Sequence, residues 1–166
     1  MKAIVCVNKD WAIGKNGDLL YRISDDLRNF KELTTGGAII YGLNTLATFP
    51  KASALPKRDN FVLTYNPSKV PAGITPITSD DIPKLIKMHG DKLWLIGDAS
   101  VYKQFIDYCD GAVVTFVDDS VEDADAFFPD LSKKPGWTKP HNIRWRWEGD
   151  KYRYRYEHWT NSNPIK

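Results

Sequence analysis

Short, nearly continuous apolar runs recur along the chain at residues 3–7, 38–41, 61–64, 93–96 and 112–117. Runs of this length, with little polar alternation, predict strands buried on both faces of a largely parallel sheet. Between them the spacing becomes helical. Ser24 is placed to cap a helix over 25–33, in which Leu27, Phe30 and Lys31 fall on neighbouring turns. A second helix is expected to start near Asn44, and a third covers about 81–88, with Pro83 in its first turn, where a missing N–H costs least. A fourth over 99–107 turns Val101, Phe105 and Ile106 toward the sheet. The C-terminal third reads differently. Arg144-Trp145-Arg146-Trp147, a Glu-Gly-Asp turn and Tyr152-Arg153-Tyr154-Arg155-Tyr156 alternate strictly, which predicts an antiparallel hairpin at the sheet's edge. Strands alternating with helices make the chain an α/β protein.

Composition narrows this picture. A length of 166 residues allows one well-buried core and is short for two ordinary domains, so a single domain over 1–166 is expected. With 42% hydrophobic and 27% charged residues the balance is that of a folded globular chain. A net charge of +2 argues neither for nor against an anionic partner. Cys6 and Cys109 lack metal or redox spacing, and no metal site is expected. No run approaches the ~20 apolar residues of a membrane span. The apolar part of the N-terminus is too short for a signal peptide, which makes the cytoplasm the expected compartment.

Several residues could carry chemistry, and each also has a plain explanation. Asp25 and Asp26 open a helix, where carboxylates favour the macrodipole. Yet Leu27 and Phe30 flank Asp26 beyond a glycine-bearing loop, so this acid could face an apolar cleft, with its pKa raised by desolvation. Arg58 follows a turn at Leu55-Pro56-Lys57; it is either a solvated surface residue or a bidentate clamp for a carboxylate. Two strand-to-helix junctions, Tyr41-Gly42-Leu43-Asn44-Thr45 and Ile96-Gly97-Asp98-Ala99-Ser100, carry single glycines. Such turns often merely connect elements, but they also let backbone approach a phosphate.

In combination and in order these segments resemble the dihydrofolate reductase family. The stretch Ala12-Ile13-Gly14-Lys15-Asn16-Gly17 leads to Ser24-Asp25-Asp26-Leu27-Arg28-Asn29-Phe30-Lys31, followed by Leu55-Pro56-Lys57-Arg58-Asp59-Asn60 and Ile96-Gly97-Asp98-Ala99-Ser100-Val101-Tyr102. Asp125-Ala126-Phe127-Phe128-Pro129 is similar to the family's stretch before its closing strands. The resemblance implies a mixed, mostly parallel sheet of about eight strands with flanking helices and a C-terminal antiparallel hairpin. It implies NADPH-dependent reduction of 7,8-dihydrofolate to tetrahydrofolate by a monomer, with Asp26, Tyr21 and Thr115 as the catalytic group. Ile4, Val5, Leu27, Phe30, Lys31, Phe49, Leu55 and Ile96 would line the substrate site, and Arg58 would grip the substrate's carboxylate tail. Ile13, Gly14, Gly17, Asp18 and Leu19 would close over the cofactor ring as a loop, near Cys6 and Tyr102. Gly42, Leu43, Asn44, Thr45, Leu63, Thr64 and Tyr65 would meet the cofactor with Gly97, Asp98, Ala99, Ser100 and Val101.

The chain also departs from that pattern. Leu43 and Ser100 stand where the family commonly has arginines, the first of which reads the cofactor's 2′-phosphate, so the choice between NADPH and NADH stays open at this point. Tyr65, Asn66 and Lys69 are the candidates to take over that contact. Asp98 occupies the second place of a usual Gly-Gly pair with a cis peptide, and Leu20-Tyr21 replaces a usual Pro-Trp. Three rival readings remain: a reductase of the riboflavin-synthesis type, a catalytically silent relative, and a nucleic-acid binder using the basic-aromatic hairpin.

Overall fold

The computed structural model describes residues 1–141 and 143–166. β1 (Lys2–Asn8), β2 (Ala12–Lys15) and β3 (Asp18–Leu19) precede α1 (Ser24–Thr34), and β4 (Ala38–Gly42) runs directly into α2 (Leu43–Leu46). Then come β5 (Asp59–Leu63), β6 (Ile74–Ile77), α3 (Ile82–His89), β7 (Leu93–Leu95), α4 (Ala99–Phe105) and β8 (Gly111–Val117). The chain ends with β9 (Ala126–Phe127), β10 (Trp137–Thr138), β11 (Arg146–Glu148) and β12 (Tyr152–Asn161).

The main sheet runs in the order β10-β12-β8-β1-β7-β4-β5-β6, with β11 as a further strand on β12. From β8 to β6 every pairing is parallel, and β12 joins β8 antiparallel. The five apolar runs became β1, β4, β5, β7 and β8, the inner strands, where both faces must be dry. β6 was not legible in the pattern because Ile74-Thr75-Pro76-Ile77 contains a proline. An edge strand that pairs only with β5 tolerates one, since a missing N–H there breaks no second ladder.

Strand side chains alternate between faces, so the sheet divides the core. On one face Val5, Ile40, Leu95 and Val114 pack under α3 and α4 through Ile82, Leu85, Val101 and Phe105. On the other, Ile4, Ile39, Tyr41, Val62 and Val113 pack with Phe30 of α1 and with Phe49 and Leu55. Each fully buried aliphatic side chain contributes about 1.5–3 kcal/mol over an exposed one. The two layers therefore hold both the helices and the strand ends that carry the polar chemistry.

Three expectations are corrected. Ser24 does not cap α1 with its side chain: Ile23 holds the cap position, and Ser24 donates its N–H and hydroxyl to Glu148 of the hairpin, both at 3.2 Å. Ser24 is the first helical residue, so its hydroxyl donates to a distant carboxylate instead of accepting a local N–H. The stretch expected to close as a loop is a hairpin. Asn16 (φ 53°) and Gly17 (φ 82°) turn β2 into β3, the left-handed pair that a two-residue hairpin needs, and β9 adds a third strand. The C-terminal hairpin forms as expected, but two of its arginines, Arg153 and Arg155, are held against other groups. Trp145 lies between the guanidinium groups of Arg153 (4.2 Å) and Arg155 (4.6 Å). Arg153 also binds Asp118, and Arg155 binds the buried Glu157. Part of the basic and aromatic set proposed for nucleic acid is thus engaged within the hairpin, while Arg144, Arg146 and Trp147 are exposed.

Candidate active site

α1 carries Asp26 and Phe30 one turn apart, hence on one face, beside β1 and β8. Thr115, at the middle of β8, donates its hydroxyl to Asp26 Oδ1 at 2.5 Å. Burial raises the Asp26 pKa and the Thr115 hydrogen bond partly opposes it. Asp25 points elsewhere: it pairs with Arg28 and accepts from the Tyr154 hydroxyl at 2.9 Å. Of two adjacent acids, one serves structure and the other is left half-buried with a single hydroxyl partner.

Arg58 stands over the Phe30 ring at 5.9 Å, at the far end of the same helix face. Its Nε is buried without a partner among the described residues, and burial lowers its pKa. The loop that presents it is organised by Asn60. Asn60 Oδ1 accepts from the Tyr41 hydroxyl and the Leu55 N–H, while Nδ2 donates to the carbonyls of Leu55 and Arg58. All four bonds lie between 2.8 and 3.0 Å. An amide that saturates its capacity in this way converts a surface loop into a fixed platform.

Ile4, Phe30, Phe49, Leu55 and Ile96 share the apolar layer between Asp26 and Arg58. Leu27 is 48% exposed beside Asp26, an apolar side chain left facing solvent as a cleft wall would be. Lys31 is exposed one turn past Leu27. Val5 is the exception: it packs in the opposite layer, under α3 and α4, because its neighbour Ile4 takes the cleft face. Only the Val5 backbone can meet a ligand there.

Cys6 lies on the Asp26 side of the sheet, where burial first and the carboxylate second push its thiol pKa well up. Tyr21 donates to Asp119 at 2.7 Å and packs edge-on against Tyr152, at 5.0 Å between centroids. It anchors the end of the β2–β3 hairpin to the segment after β8. Gly14 pairs with Leu19, and a Cβ on Gly14 would come 3.0 Å from the Asp18 carbonyl oxygen. Ile13 is buried in the first core layer. Asp125 binds the hairpin from outside, accepting from the Asn16 N–H at 3.0 Å and donating its own N–H to the Gly14 carbonyl.

The two glycine turns meet at the carboxyl ends of β4 and β7, where chain order turns back: β4 leads outward to β5 and β6, and β7 returns inside it. This is where open α/β sheets hold extended ligands. The Gly42 N–H donates to the Gly97 carbonyl at 2.9 Å, and the Gly97–Asp98 peptide is cis. Gly97 has φ +126°, and a Cβ there would stand 2.9 Å from Thr45 Oγ1, so only glycine keeps this backbone open to a phosphate. Asp98 turns its carboxylate to the Val101 N–H at the start of α4. Tyr102 is buried, with its hydroxyl on the Ile4 carbonyl at 2.6 Å. Thr64 is buried, Leu63 and Ala99 are half-buried, and Leu43, Asn44, Tyr65 and Ser100 are exposed at the rim. The two turns thus leave an open backbone cradle of the kind that can receive phosphates.

Two groups near the acid were not anticipated. Tyr156 sits opposite Thr115 across β12 and β8, and burial with the Asp26 charge raises its pKa. Tyr154, fully buried, holds Asp25 away from the cleft. Their alternation with arginine was visible in the sequence; which face would meet α1 was not.

A sequence model of the dihydrofolate reductase family matches residues 1–161. The chain is similar to the dihydrofolate reductase of Buchnera aphidicola, at 30% identity over 136 residues and 81% of each chain. It is similar to that of Mycobacterium tuberculosis, at 30% identity over 146 residues and 86% of each. Among solved structures it resembles dihydrofolate reductase from Enterococcus faecalis, complexed with NADP(H) and RAB-propyl, with a TM-score of 0.80 and 28% identity. That match covers 98% of this chain and 96% of the other. With a half-buried acid and an arginine whose Nε has no partner among the described residues lying along one apolar layer, these matches establish that the chain belongs to the dihydrofolate reductase family.

Proposed function

We propose that this chain reduces 7,8-dihydrofolate to 5,6,7,8-tetrahydrofolate with NADPH, and that Asp26 and Arg58 hold the two ends of the substrate. The observation that carries this reading is the pair itself. Among the described residues the Asp26 carboxylate bonds Thr115 alone and the Arg58 guanidinium leaves Nε unpaired, with an apolar wall between them. A flat heterocycle with an amidine-like edge satisfies the free carboxylate oxygen, and an aryl linker fills the wall. A terminal carboxylate then completes the guanidinium fork, a geometry lysine cannot reproduce.

The cofactor, when bound, supplies a hydride to C6 of the pterin. The remaining work falls to the protein. Asp26, held by Thr115 and raised in pKa, orients the ring and polarises it so that N5 gains a proton from water. Ile4, Phe30 and Ile96 hold the ring in register, which supplies proximity. The β2–β3 hairpin, pinned by Asp125 and Tyr21, is the element that would close over the bound rings and exclude water. All these groups come from one chain, so a monomer suffices.

NADPH consumption on adding dihydrofolate tests the proposal, with Asp26→Asn as the control. Turnover that the variant abolishes is expected. A folded wild-type protein that never consumes NADPH overturns it and moves the assignment to a riboflavin-type reductase or a silent relative.

A further inference from the structure

Two acids open α1, Asp25 and Asp26, and neighbouring strands take hold of one each. β8 holds Asp26 through Thr115, and β12 holds Asp25 through the Tyr154 hydroxyl at 2.9 Å. The register explains the division. Tyr156 pairs with Thr115 and Tyr154 with Val117, so Thr115 and both tyrosines stand on the sheet face that meets α1. Tyr154 is fully buried, packed with Tyr21, Ile23 and Val117 and edge-on to Tyr156 at 5.7 Å between centroids. Its hydroxyl therefore has little freedom. Arg28, the other partner of Asp25, is 66% exposed, and an exposed pair of this kind holds a side chain weakly.

Titratable and charged groups face this turn from several elements. Cys6 of β1, Tyr102 of α4 and Tyr156 of β12 feel the Asp26 charge, but burial, the larger influence on each, pushes all three up and keeps them neutral near neutrality. Burial first and the bond to Asp25 second push Tyr154 up as well, so it stays a donor. From β11, Arg146 lies over the Tyr156 ring at 5.5 Å and Glu148 accepts from Ser24. Asp25 adjoins Asp26 in the chain, yet the influences on Asp26 itself are burial and Thr115. Resting on the active-site reading above, we propose that Tyr154 is a positioning residue for Asp26: its hydroxyl fixes the Asp25 carboxylate outside the cleft, so that a single carboxylate faces the substrate. Losing that bond frees Asp25 to swing toward Asp26, and two carboxylates sharing a site raise each other's pKa.

Carbon-13 NMR of the intact protein, labelled at its aspartate carboxyl carbons, reads the Asp26 titration directly, and the signal is identified by its loss in Asp26→Asn. Tyr154→Phe keeps the ring and removes only the hydroxyl. It should raise the Asp26 midpoint by about half a pH unit or more, the scale of a like charge a few ångströms away in a solvated setting. Adding Asp25→Asn should return the midpoint to its wild-type value, and the pH profile of dihydrofolate turnover should move with it in both variants. Asp25→Asn alone, at a half-exposed position, should barely move it. An unmoved midpoint in folded Tyr154→Phe would overturn the inference, as would a shift that persists when Asp25→Asn is added. So would a fall of about half a pH unit in Asp25→Asn alone, because Asp25 would then already act on Asp26. That last comparison does not depend on how well Tyr154→Phe folds. Midpoints that behave as expected in a protein without dihydrofolate turnover would support this positioning and overturn the reductase reading alone.

Discussion

Thr115 Oγ1 lies 2.5 Å from Asp26 Oδ1, joining the centre of a buried strand to the first turn of α1. The bond sets two opposing influences on one carboxylate. Burial favours its neutral form, and the donated hydrogen bond favours its charged form; burial is the larger.

That balance predicts a pH signature. Because the folded-state pKa of Asp26 is raised, its contribution to stability is fully present below the unfolded value near ~4 and is lost as pH rises through the folded value. Asp26→Asn cannot ionise. Its melting temperature relative to wild type should therefore rise as pH is increased from about 4 to about 8. The same variant should lose about 10²–10⁴ in kcat. A stability difference that falls with pH would show that the carboxylate is stabilised, not strained, in its charged form.

Arg58→Leu should raise KM for dihydrofolate by about tenfold to a hundredfold, the loss of a charge-assisted fork, with a smaller effect on kcat. A pterin substrate lacking the carboxylate tail should be indifferent to the change. Equal losses for both substrates would place Arg58 outside the tail contact.

Asn60→Leu keeps the size of the side chain and removes its four hydrogen bonds. Leaving the Leu55 and Arg58 peptide groups unpaired should cost about 2–4 kcal/mol in denaturant unfolding. Because those bonds also position Arg58, KM should rise in the surviving folded fraction. An unchanged KM would mean that the platform holds without Asn60.

Gly97→Ala forces a Cβ to 2.9 Å from Thr45 Oγ1 at a backbone φ of +126°. The expected cost is about 1–3 kcal/mol, with dinucleotide affinity falling as the turn shifts. Calorimetry with NADPH reads the second effect. Unaltered affinity would argue that the phosphates do not approach this turn.

Much of this was legible in the chain. The continuous apolar runs marked the inner strands because burial on both faces leaves no room for alternation. The glycines at 42 and 97 marked the turns because backbone that must come close admits no Cβ. Asn16-Gly17 was a hairpin signal in plain view, since only a pair tolerant of positive φ makes that turn.

What the sequence by itself determined is the set of elements and the kinds of side chain they carry: the parallel strands, the first-turn acids, the arginine after a turn, the single-glycine junctions. These follow from local rules of period, sterics and capping. Only the tertiary structure supplied the physical separation of the two acids, since Tyr154 claims Asp25 while Thr115 takes Asp26, and β12 and β8 are joined to α1 only by folding. It also decided that Val5 faces away from the cleft, that Ser24 bonds a hairpin instead of its own helix, and that Leu43 borders a pocket beside the glycine turns. Each of those outcomes depends on partners far away along the chain, and such partners acquire a position only when the sheet assembles.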